Sequence, residues 1–440
     1  MVVTSSGPAA VTGAVPASLG SRRTREAWLS RRLFPLLATA VLIGVSMGSS
    51  TWWGPLITGA HGWPLPDDLW GTLAAAKRLA HLDLAGLYTQ PTGLVGFPGA
   101  AVILVPAAAL IDALGISLQH PGPHNLHPAA WLVAAPYEIA ISAAALFAAD
   151  ALAERLGADR AKRAVLAAAS AVALWGVSTE WGHPEDAAGV GLLLYGILAL
   201  SRAKAPRSAW LVGAAIAVQP VVLIALPLIL VILEPRRVAG YLLRAATPPV
   251  ILLAAAAAAN WTATIHAVTR QPNWPAVDHP TPWTSLAPRL AGGAVAAGPF
   301  RALAIGVACA GALLLWRRWR ARRGRVWDAD ALQQFLWWTA AALALRSVFE
   351  PVMVAYYLWP VLAVALIAAV RDWTRLAATS AIAALITFVS QVSWHGPWAW
   401  YAPMMAGLAV TLFLARLPYR LARLAPAAIA AGGVDREGPK

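Results

Sequence analysis

Long apolar runs alternate with short arginine clusters along most of this chain. The runs begin at Leu33, and many approach the roughly 20 residues that an α-helix needs to cross a bilayer. Arginines collect at alternate ends of the runs, as the positive-inside rule requires of cytoplasmic loops. The pattern therefore predicts an all-α fold, a polytopic transmembrane bundle of about ten to twelve segments.

The same arginines predict the orientation of the bundle. Five of them lie between Arg22 and Arg32, just ahead of the first run. We therefore expect a disordered cytoplasmic tail at 1–30, a membrane domain at 31–425 and a cytoplasmic C-terminal tail at 426–440. Segments without basic clusters then face outward, including a first outer loop at 54–96 and a long outer loop at 262–298. A multi-pass protein of the plasma membrane follows, with the lipid bilayer as its partner.

Composition agrees with this interpretation. Hydrophobic residues make up 59% of the chain and charged residues 12%, about half the charged share of a soluble domain. The net charge of +14 is accounted for by loop arginines, so nucleic acid is not an expected partner. The single cysteine, Cys309, excludes a disulfide framework and a thiolate metal site within the chain.

Two regions do not fit simple crossings. The apolar runs at 97–116 and 131–153 must together cross an odd number of times, so one of them is expected to be re-entrant or interfacial. The stretch 208–234 has arginines on both sides but is too short for two crossings of about 20 residues each. A pair of half-helices broken at Gln219-Pro220 would reconcile it, because proline interrupts a helix where neighbouring protein satisfies the freed backbone groups.

An acidic cluster, STEWGHPED, stands between two apolar runs. It contains Glu180, His183, Glu185 and Asp186, and charged side chains beside a bilayer are costly and tend to mark a site. Binding the polar groups of a substrate is the expected task. The simpler interpretation is that Glu185 and Asp186 cap a helix that begins near Ala187. The spacing of the histidine and the two carboxylates is not a diagnostic ligand pattern, so no metal site is predicted.

A second constellation lies in the first outer loop. Apolar residues recur at helical spacing from Leu69 to Leu84, which predicts an amphipathic helix in the membrane interface. Asp67 and Asp68 stand at its start, where they either cap the helix or form an acidic site. Lys77 and Arg78 follow on the same helix, and an acid pair with cations alongside suits a headgroup that bears phosphate.

Further along the chain, Arg346 and Glu350 lie one helical turn apart. They either satisfy each other as an i, i+4 pair or leave Arg346 to bind phosphate. Tyr357 and several tryptophans suit an interfacial aromatic belt or stacking against sugar rings. Arg270 lies in the long outer loop, where positive charge is disfavoured, and a phosphate or acidic glycan partner would account for it.

Several short motifs, in this order on one face, carry a family resemblance. They are an outer-loop Asp after the first membrane helix, Gly86-Leu87-Tyr88, Phe97-Pro98, the GHPED turn at 182–186, the half-helix at 213–220 and RSVFEPVMVAYY at 346–357. Over roughly residues 33–370 the chain resembles the GT-C superfamily of polyprenyl-phosphate-sugar-dependent glycosyltransferases. It is similar in particular to their actinobacterial mannosyltransferase-like branch. These relatives often have Lys where Gln219 stands and Tyr-Pro-Pro where this chain has Phe97-Pro98-Gly99.

The resemblance implies a GT-C bundle and a hexosyltransferase that inverts the anomeric carbon. Its donor is a polyprenyl-phosphate-linked sugar, mannose by the nearest likeness, with no other cofactor. Its acceptor is a glycolipid or cell-envelope glycan at the outer face. The catalytic base is an Asp of the first outer loop, which here means Asp68 or Asp67, with Asp68 favoured. A carboxylate for the acceptor's proton and cations for the departing phosphate are what this chemistry requires in any protein.

Two alternatives stay open. A transporter or flippase could use the carboxylates of Asp112, Glu138 and Asp150, which lie in or near apolar runs. Such a protein concentrates polar residues near the midplane and often contains repeated halves, whereas this chain places most of them on one face. A non-catalytic subunit of an envelope-synthesis complex is the other alternative.

Overall fold

The computed structural model describes residues 28–48, 65–89, 94, 96–119, 128–321, 327–392 and 396–416. Within these ranges the chain is mostly helical, which confirms the all-α class, and its strands are two residues long. The tail predicted at 1–30, apart from its last three residues, the C-terminal tail and much of the first outer loop lie outside the described residues.

Helices suited to a membrane dominate the described ranges. Three of them are long and apolar enough to cross a bilayer by length and composition: Ala129–Arg155, Pro235–Ala259 and Gly298–Trp319. Six shorter apolar helices of 10–17 residues accompany them. By length and composition the described part of the chain therefore contains helices able to span a membrane, whereas the number and direction of its crossings remain predictions.

The helices, in chain order, are α1 (Leu33–Gly48), α2 (Asp67–Ala80), α3 (Pro98–Val102), α4 (Val105–Ala113), α5 (Pro128–Arg155), α6 (Arg160–Trp175), α7 (Pro184–Ser201), α8 (Ala205–Val218), α9 (Leu226–Ile232), α10 (Pro235–Ala259), α11 (Trp261–Arg270), α12 (Gly298–Ala321), α13 (Ala329–Phe349), α14 (Trp359–Ala369), α15 (Trp373–Val389) and α16 (Tyr401–Ala415). A π-helical turn, Gly176–Glu180, follows α6, and 3₁₀ turns occur at Pro220–Ala225, Thr284–Leu286, Ala291–Gly293 and Ala355–Leu358. The strands are β1 (Pro272–Asn273), β2 (His279–Pro280), β3 (Val295–Ala296) and β4 (Val352–Met353).

The core is built around α14, every residue of which is buried. It packs against α13, α15 and α16, while α7 lies between α5 and α8. Helix α1 lies against α5 and α6. A buried ion cluster ties these three together: Asp150 accepts two hydrogen bonds from Arg163, each 2.7 Å, and one of 2.6 Å from Arg32.

Both regions that resisted simple crossings are broken by short elements. Helix α8 ends at Val218, Gln219 is extended, and Pro220 opens a 3₁₀ turn that leads into α9. The break predicted at Gln219-Pro220 is thus confirmed. Of the two runs in 97–153, the second forms the continuous helix α5, whereas the first is divided into α3 and α4, of five and nine residues.

The predicted interfacial helix is present as α2. Its buried side includes Leu69, Leu73 and Ala76, as the spacing indicated. It ends at Ala80, however, and Leu84 lies beyond it in an irregular segment.

The long outer loop predicted at 262–298 is more ordered than expected. Its first part is helix α11, and two antiparallel strand pairs hold the remainder. Strand β1 pairs with β3, and β2 pairs with β4, so that His279 lies opposite Met353. The 271–298 segment is therefore fastened to residues 350–358, at the same end of the bundle as the start of α2.

Candidate functional site

One polar cavity brings together most of the predicted site residues. Its volume is about 320 Å³, at the small end of the range of ligand pockets. Seven parts of the chain form its walls: the start of α2, residues 94–100, the turn at the start of α7, the break after α8, the 268–278 segment, the start of α12 and the 346–357 region. The charged residues that line it are Asp67, Asp68, His183, Glu185, Asp186, Asp278, Arg301 and Arg346.

His183 joins the two acidic constellations. Its Nε2 lies 3.0 Å from Asp68 Oδ2, and its Nδ1 lies 2.5 Å from Glu185 Oε1. The ring stacks on Tyr356, with the two centroids 3.8 Å apart. Carboxylates separated by 117 positions in the sequence are thereby connected through one imidazole, which is fixed by contacts at both nitrogens and on one face.

Gly182 makes this junction possible. Its φ of +65° is in the left-handed region, which glycine occupies without the steric cost of a Cβ. A Cβ built there would lie 2.6 Å from Leu69 Cβ, which is closer than two non-bonded carbon atoms can approach. The turn can therefore touch α2 only with glycine at this position, and that contact sets His183 beside Asp68.

The contacts of His183 with the two carboxylates shift the pKa values of His183 and Asp68. Burial on its own would lower the pKa of His183, but the carboxylates of Glu185 and Asp68 outweigh it and raise that pKa well above its usual value. Burial opposes ionisation of Asp68 in the same way, yet the hydrogen bond and charge of His183 lower its pKa. Asp68 is therefore an ionised carboxylate next to an imidazolium, and its side chain remains 55% exposed to the cavity and solvent.

Neither acidic pair caps its helix through a side-chain hydrogen bond, although both pairs lie in the first turn, near the positive end of the helix dipole. Pro66 is the N-cap residue of α2, so neither aspartate holds the capping position. Helix α7 begins at Pro184, three residues earlier than predicted, and places Glu185 and Asp186 inside its first turn. Their side chains hydrogen-bond His183 and Gln219.

Asp186 connects the cluster to Arg346. Gln219 Nε2 donates a 2.7 Å hydrogen bond to Asp186 Oδ1, and Arg346 Nη1 approaches the same oxygen at 3.6 Å. The guanidinium lies 3.7 Å above the ring centroid of Tyr357, a cation–π contact. Among the described residues, Nε and Nη1 of Arg346 have no hydrogen-bond partner although the side chain is 7% exposed. Such donors suit an anion in the cavity.

Arg301 is a site residue that the sequence interpretation missed. It contacts both oxygens of Glu350, with Nη2 2.6 Å from Oε1, and also donates to Gln271 Oε1. Glu350 accepts a further 3.0 Å bond from Asn273, whereas its predicted pairing with Arg346 is long, at 3.7 Å. The i, i+4 pair is therefore not self-sufficient. A lone arginine at the start of the run GPFRALAIGVACAGALLLW, far from the basic cluster at its other end, was the available signal.

Five predicted site residues do not line the cavity, and one of them is Glu350, the partner of Arg301. Lys77 and Arg78 border a separate depression and are paired with Asp112 and Asp83, at 2.5 and 2.8 Å. Glu180 does not line the cavity; it interacts with Trp175. Arg270 is exposed at the end of α11, next to the cavity residue Gln271 but not lining the cavity itself.

Potential metal ligands occur within the cluster. One ligand atom from each of His183, Glu185 and Asp186 lies within 4.8 Å of the others. Both imidazole nitrogens, however, face carboxylates, and an imidazolium has no lone pair to offer a metal. The arrangement is better suited to ion pairing, and the absence of a metal site remains a prediction.

No family model matches the sequence, and no curated protein matches it either. The resemblance to the GT-C superfamily accordingly rests on the short motifs alone. The function must be argued from the cavity and its residues.

Proposed function

We propose that this protein is a membrane glycosyltransferase of GT-C type that moves a hexose from a polyprenyl-phosphate donor to a hydroxyl of a lipid-linked or cell-envelope glycan. Mannose is the proposed sugar, on the strength of the family resemblance. One observation carries the proposal: the carboxylate of Asp68 lines the same small cavity as the guanidinium of Arg346, whose Nε and Nη1 have no hydrogen-bond acceptor among the described residues.

Asp68 and the two arginines have different roles in the proposed reaction. The acceptor oxygen attacks the anomeric carbon, the bond from that carbon to the phosphate oxygen breaks, and the acceptor's proton passes to Asp68. Phosphate takes the electron pair of the broken bond, and Arg346 and Arg301 offset its charge. Attack from the side opposite the phosphate inverts the anomeric carbon.

A carboxylate with a lowered pKa is adequate for this role. In an oxocarbenium-like transition state the acceptor hydroxyl becomes acidic only as its new bond to carbon forms, so a weak base can take the proton late. Because His183 keeps Asp68 ionised, the base is available without prior deprotonation. No protein acid is needed, since the departing polyprenyl phosphate, a phosphate monoester, is already a good leaving group.

The remaining residues supply binding. Glu185 and Asp186 project into the cavity beside His183 and suit hydroxyl recognition. Tyr356, Tyr357 and Trp274 give the cavity aromatic surface, against which sugar rings stack. The bilayer setting suits a donor whose lipid chain stays in the membrane. We propose that the site lies at the outer face, because the loops that form the cavity contain no arginine cluster of the kind expected on the cytoplasmic side.

The proposal is tested by reconstituting the purified protein in liposomes with polyprenyl-phosphate-mannose, and with the glucose analogue, and a lipid-extracted glycan acceptor. Labelled sugar transferred with inverted configuration supports the proposal. No transfer from any polyprenyl-phosphate sugar, at donor concentrations that saturate binding, would contradict it.

Glu138 favours a second candidate, a proton-coupled transporter. It is fully buried in α5, and both of its carboxylate oxygens have no hydrogen-bond partner among the described residues. Asp112 and Asp150, in contrast, are paired with cations. A transporter requires that Glu138→Gln abolish substrate flux across liposomes, while a glycosyltransferase requires only that it leave transfer measurable.

A further inference from the structure

Asp278 lines the cavity from the 271–278 segment, as the proposed base does from α2. It lines the same cavity as Asp68 and His183, and its charge interacts with both. The side chain is partly buried. Sequence interpretation gave it no role, because it lies in an irregular segment between prolines and tryptophans.

The backbone around Asp278 is firmly held. Its N–H donates to Trp274 O at 3.1 Å. The next residue, His279, begins strand β2 opposite Met353 and stacks on Trp400 with centroids 4.6 Å apart. Two positions further, Thr281 Oγ1 donates to Glu350 O at 2.8 Å. The carboxyl group is thus positioned by neighbours on both sides.

No cation in the described part of the cavity is free to pair with Asp278. His183 is bound to Asp68 and Glu185, Arg301 is bound to Glu350, and Arg346 lies against Asp186 and Tyr357. The titratable groups that face the cavity from each surrounding element are Asp67 and Asp68 on α2, His183, Glu185 and Asp186 at the start of α7, Arg301 on α12, Arg346 on α13, and Tyr356 and Tyr357 in the 3₁₀ turn.

We propose that Asp278 is a further substrate-binding residue, which donates a hydrogen bond from its carboxylic acid O–H to a neutral hydroxyl of the sugar held between it and Asp68. This inference rests on the proposed glycosyltransferase function and extends it. A neutral polyol is the ligand class that fits a protonated acid opposite an ionised one, because its hydroxyls both accept and donate hydrogen bonds.

The protonation state agrees with this geometry. Burial, followed by the charge of Asp68, raises the pKa of Asp278 to about 6, against a smaller opposing effect of His183. The acid form is therefore substantially populated in mildly acidic surroundings. Asp68 stays ionised over the same range because its pKa is lowered. Asp278 therefore acts as a hydrogen-bond donor and Asp68 as an acceptor, although both are aspartate side chains.

The test is the pH dependence of kcat/KM for transfer from polyprenyl-phosphate-mannose between pH 5 and 8, in the wild type, Asp278→Asn and Asp278→Ala. Wild-type kcat/KM should fall by about 50-fold from pH 6 to pH 8, because with a pKa of about 6 the protonated fraction falls from about one half to about 1%. Asp278→Asn keeps an N–H donor at every pH, so the kcat/KM of this variant should not fall between pH 6 and pH 8. At pH 8 its kcat/KM should exceed that of the wild type. Asp278→Ala should be weak throughout.

A flat wild-type profile, a decline in Asp278→Asn equal to that of the wild type, or full activity in Asp278→Ala would overturn the inference. Asp330→Asn serves as the control, since that carboxylate is 63% exposed and pairs with Arg371 outside the cavity. Binding of polyprenyl-phosphate-mannose, followed by tryptophan fluorescence at the same pH values, separates the two proposals. If binding follows the Asp278 pattern but no transfer occurs, only the glycosyltransferase function is contradicted. If binding is absent or insensitive to Asp278, the inference itself is contradicted.

Discussion

Replacing His183 with Gln should reveal how the cluster is held together. The imidazole makes two charge-assisted contacts, to Glu185 at 2.5 Å and Asp68 at 3.0 Å. The two carboxylates differ in exposure, at 11% for the side chain of Glu185 and 55% for that of Asp68. Breaking a buried pair strands a charge and costs about 3–5 kcal/mol, whereas exposed pairs contribute about 0.2–1 kcal/mol. We expect His183→Gln to lower the free energy of unfolding by about 3 kcal/mol, and Glu185 to account for most of it.

Double-mutant cycles measure this division. Free energies of unfolding are obtained by SDS titration in mixed micelles for His183→Gln, Glu185→Gln, Asp68→Asn and the two double variants. Adding Glu185→Gln to His183→Gln should recover stability, because it removes the stranded charge, and should give a coupling energy of about 2 kcal/mol or more. The coupling with Asp68→Asn should stay below about 1 kcal/mol. Equal coupling energies, or additive losses in both cycles, would refute the reasoning.

The pH dependence of stability gives the sign of each contribution. Because the pKa of His183 is raised, its contribution is fully present below the unfolded value, about 6.5, and is lost as pH rises through the folded value. The pKa of Asp68 is lowered, so its contribution is present above about 3.9 and is lost as pH falls through the folded value. His183→Gln should therefore remove the alkaline loss of stability, and Asp68→Asn should reduce the acid loss.

Three further outcomes follow from the same geometry. Arg346→Gln should lower kcat/KM for the polyprenyl-phosphate donor by about 10- to 100-fold, since a hydrogen bond to a charged group contributes about 1.5–3 kcal/mol. Arg346→Lys should recover part of the lost kcat/KM. Steady-state kinetics in which both variants match the wild type would exclude a phosphate contact. Gly182→Ala should destabilise the protein by more than about 1–2 kcal/mol, because a left-handed φ is combined with a clash 2.6 Å from Leu69 Cβ, whereas Gly306→Ala, with no atom within 4 Å of the added Cβ, should be neutral or stabilising in the same unfolding assay. Transfer activity should persist after incubation with EDTA, and a loss that Mn²⁺ or Mg²⁺ restores would show that the His183 cluster binds a metal.

Local periodicity predicted those parts of the fold that depend on neighbours in sequence. Helix α2 and its buried side, the break at Gln219-Pro220 and the placement of Asp68 at a helix start all follow from residues within a few turns of one another. The position of His183 was predictable only as part of a cluster. Its contact with Asp68 spans 115 positions and depends on the close approach that Gly182 permits.

The residues that sequence interpretation missed share long-range partners. Arg301 reaches Glu350 across 49 positions, and Asn273 reaches it across 77. Asp278 acquires its surroundings only when β2 pairs with β4. Conversely, Lys77 and Arg78 were placed near the acids because they share a helix with Asp68, but the side chains leave α2 towards Asp112 and Asp83. Helical proximity does not determine on which side of a helix a long side chain finds its partner.

Gly99 illustrates a departure from the resembling family that the packing explains. A Cβ there would lie 2.2 Å from the carbonyl oxygen of Ala217, so α3 touches the end of α8 directly. A second proline after the first, which the proteins of the resembled superfamily often have, does not fit this contact. Gln219, where those proteins often have Lys, instead holds Asp186 through its amide.

The most direct test of the central claim is the initial rate of sugar transfer from polyprenyl-phosphate-mannose by Asp68→Asn, measured beside the wild type and Asp330→Asn at equal amounts of folded protein. If Asp68 takes the acceptor's proton, its rate should fall by about 10²- to 10⁴-fold while donor binding is retained and Asp330→Asn stays at the wild-type rate. An Asp68→Asn rate within a few-fold of the wild type would contradict the assignment of the base and, with it, the proposed mechanism.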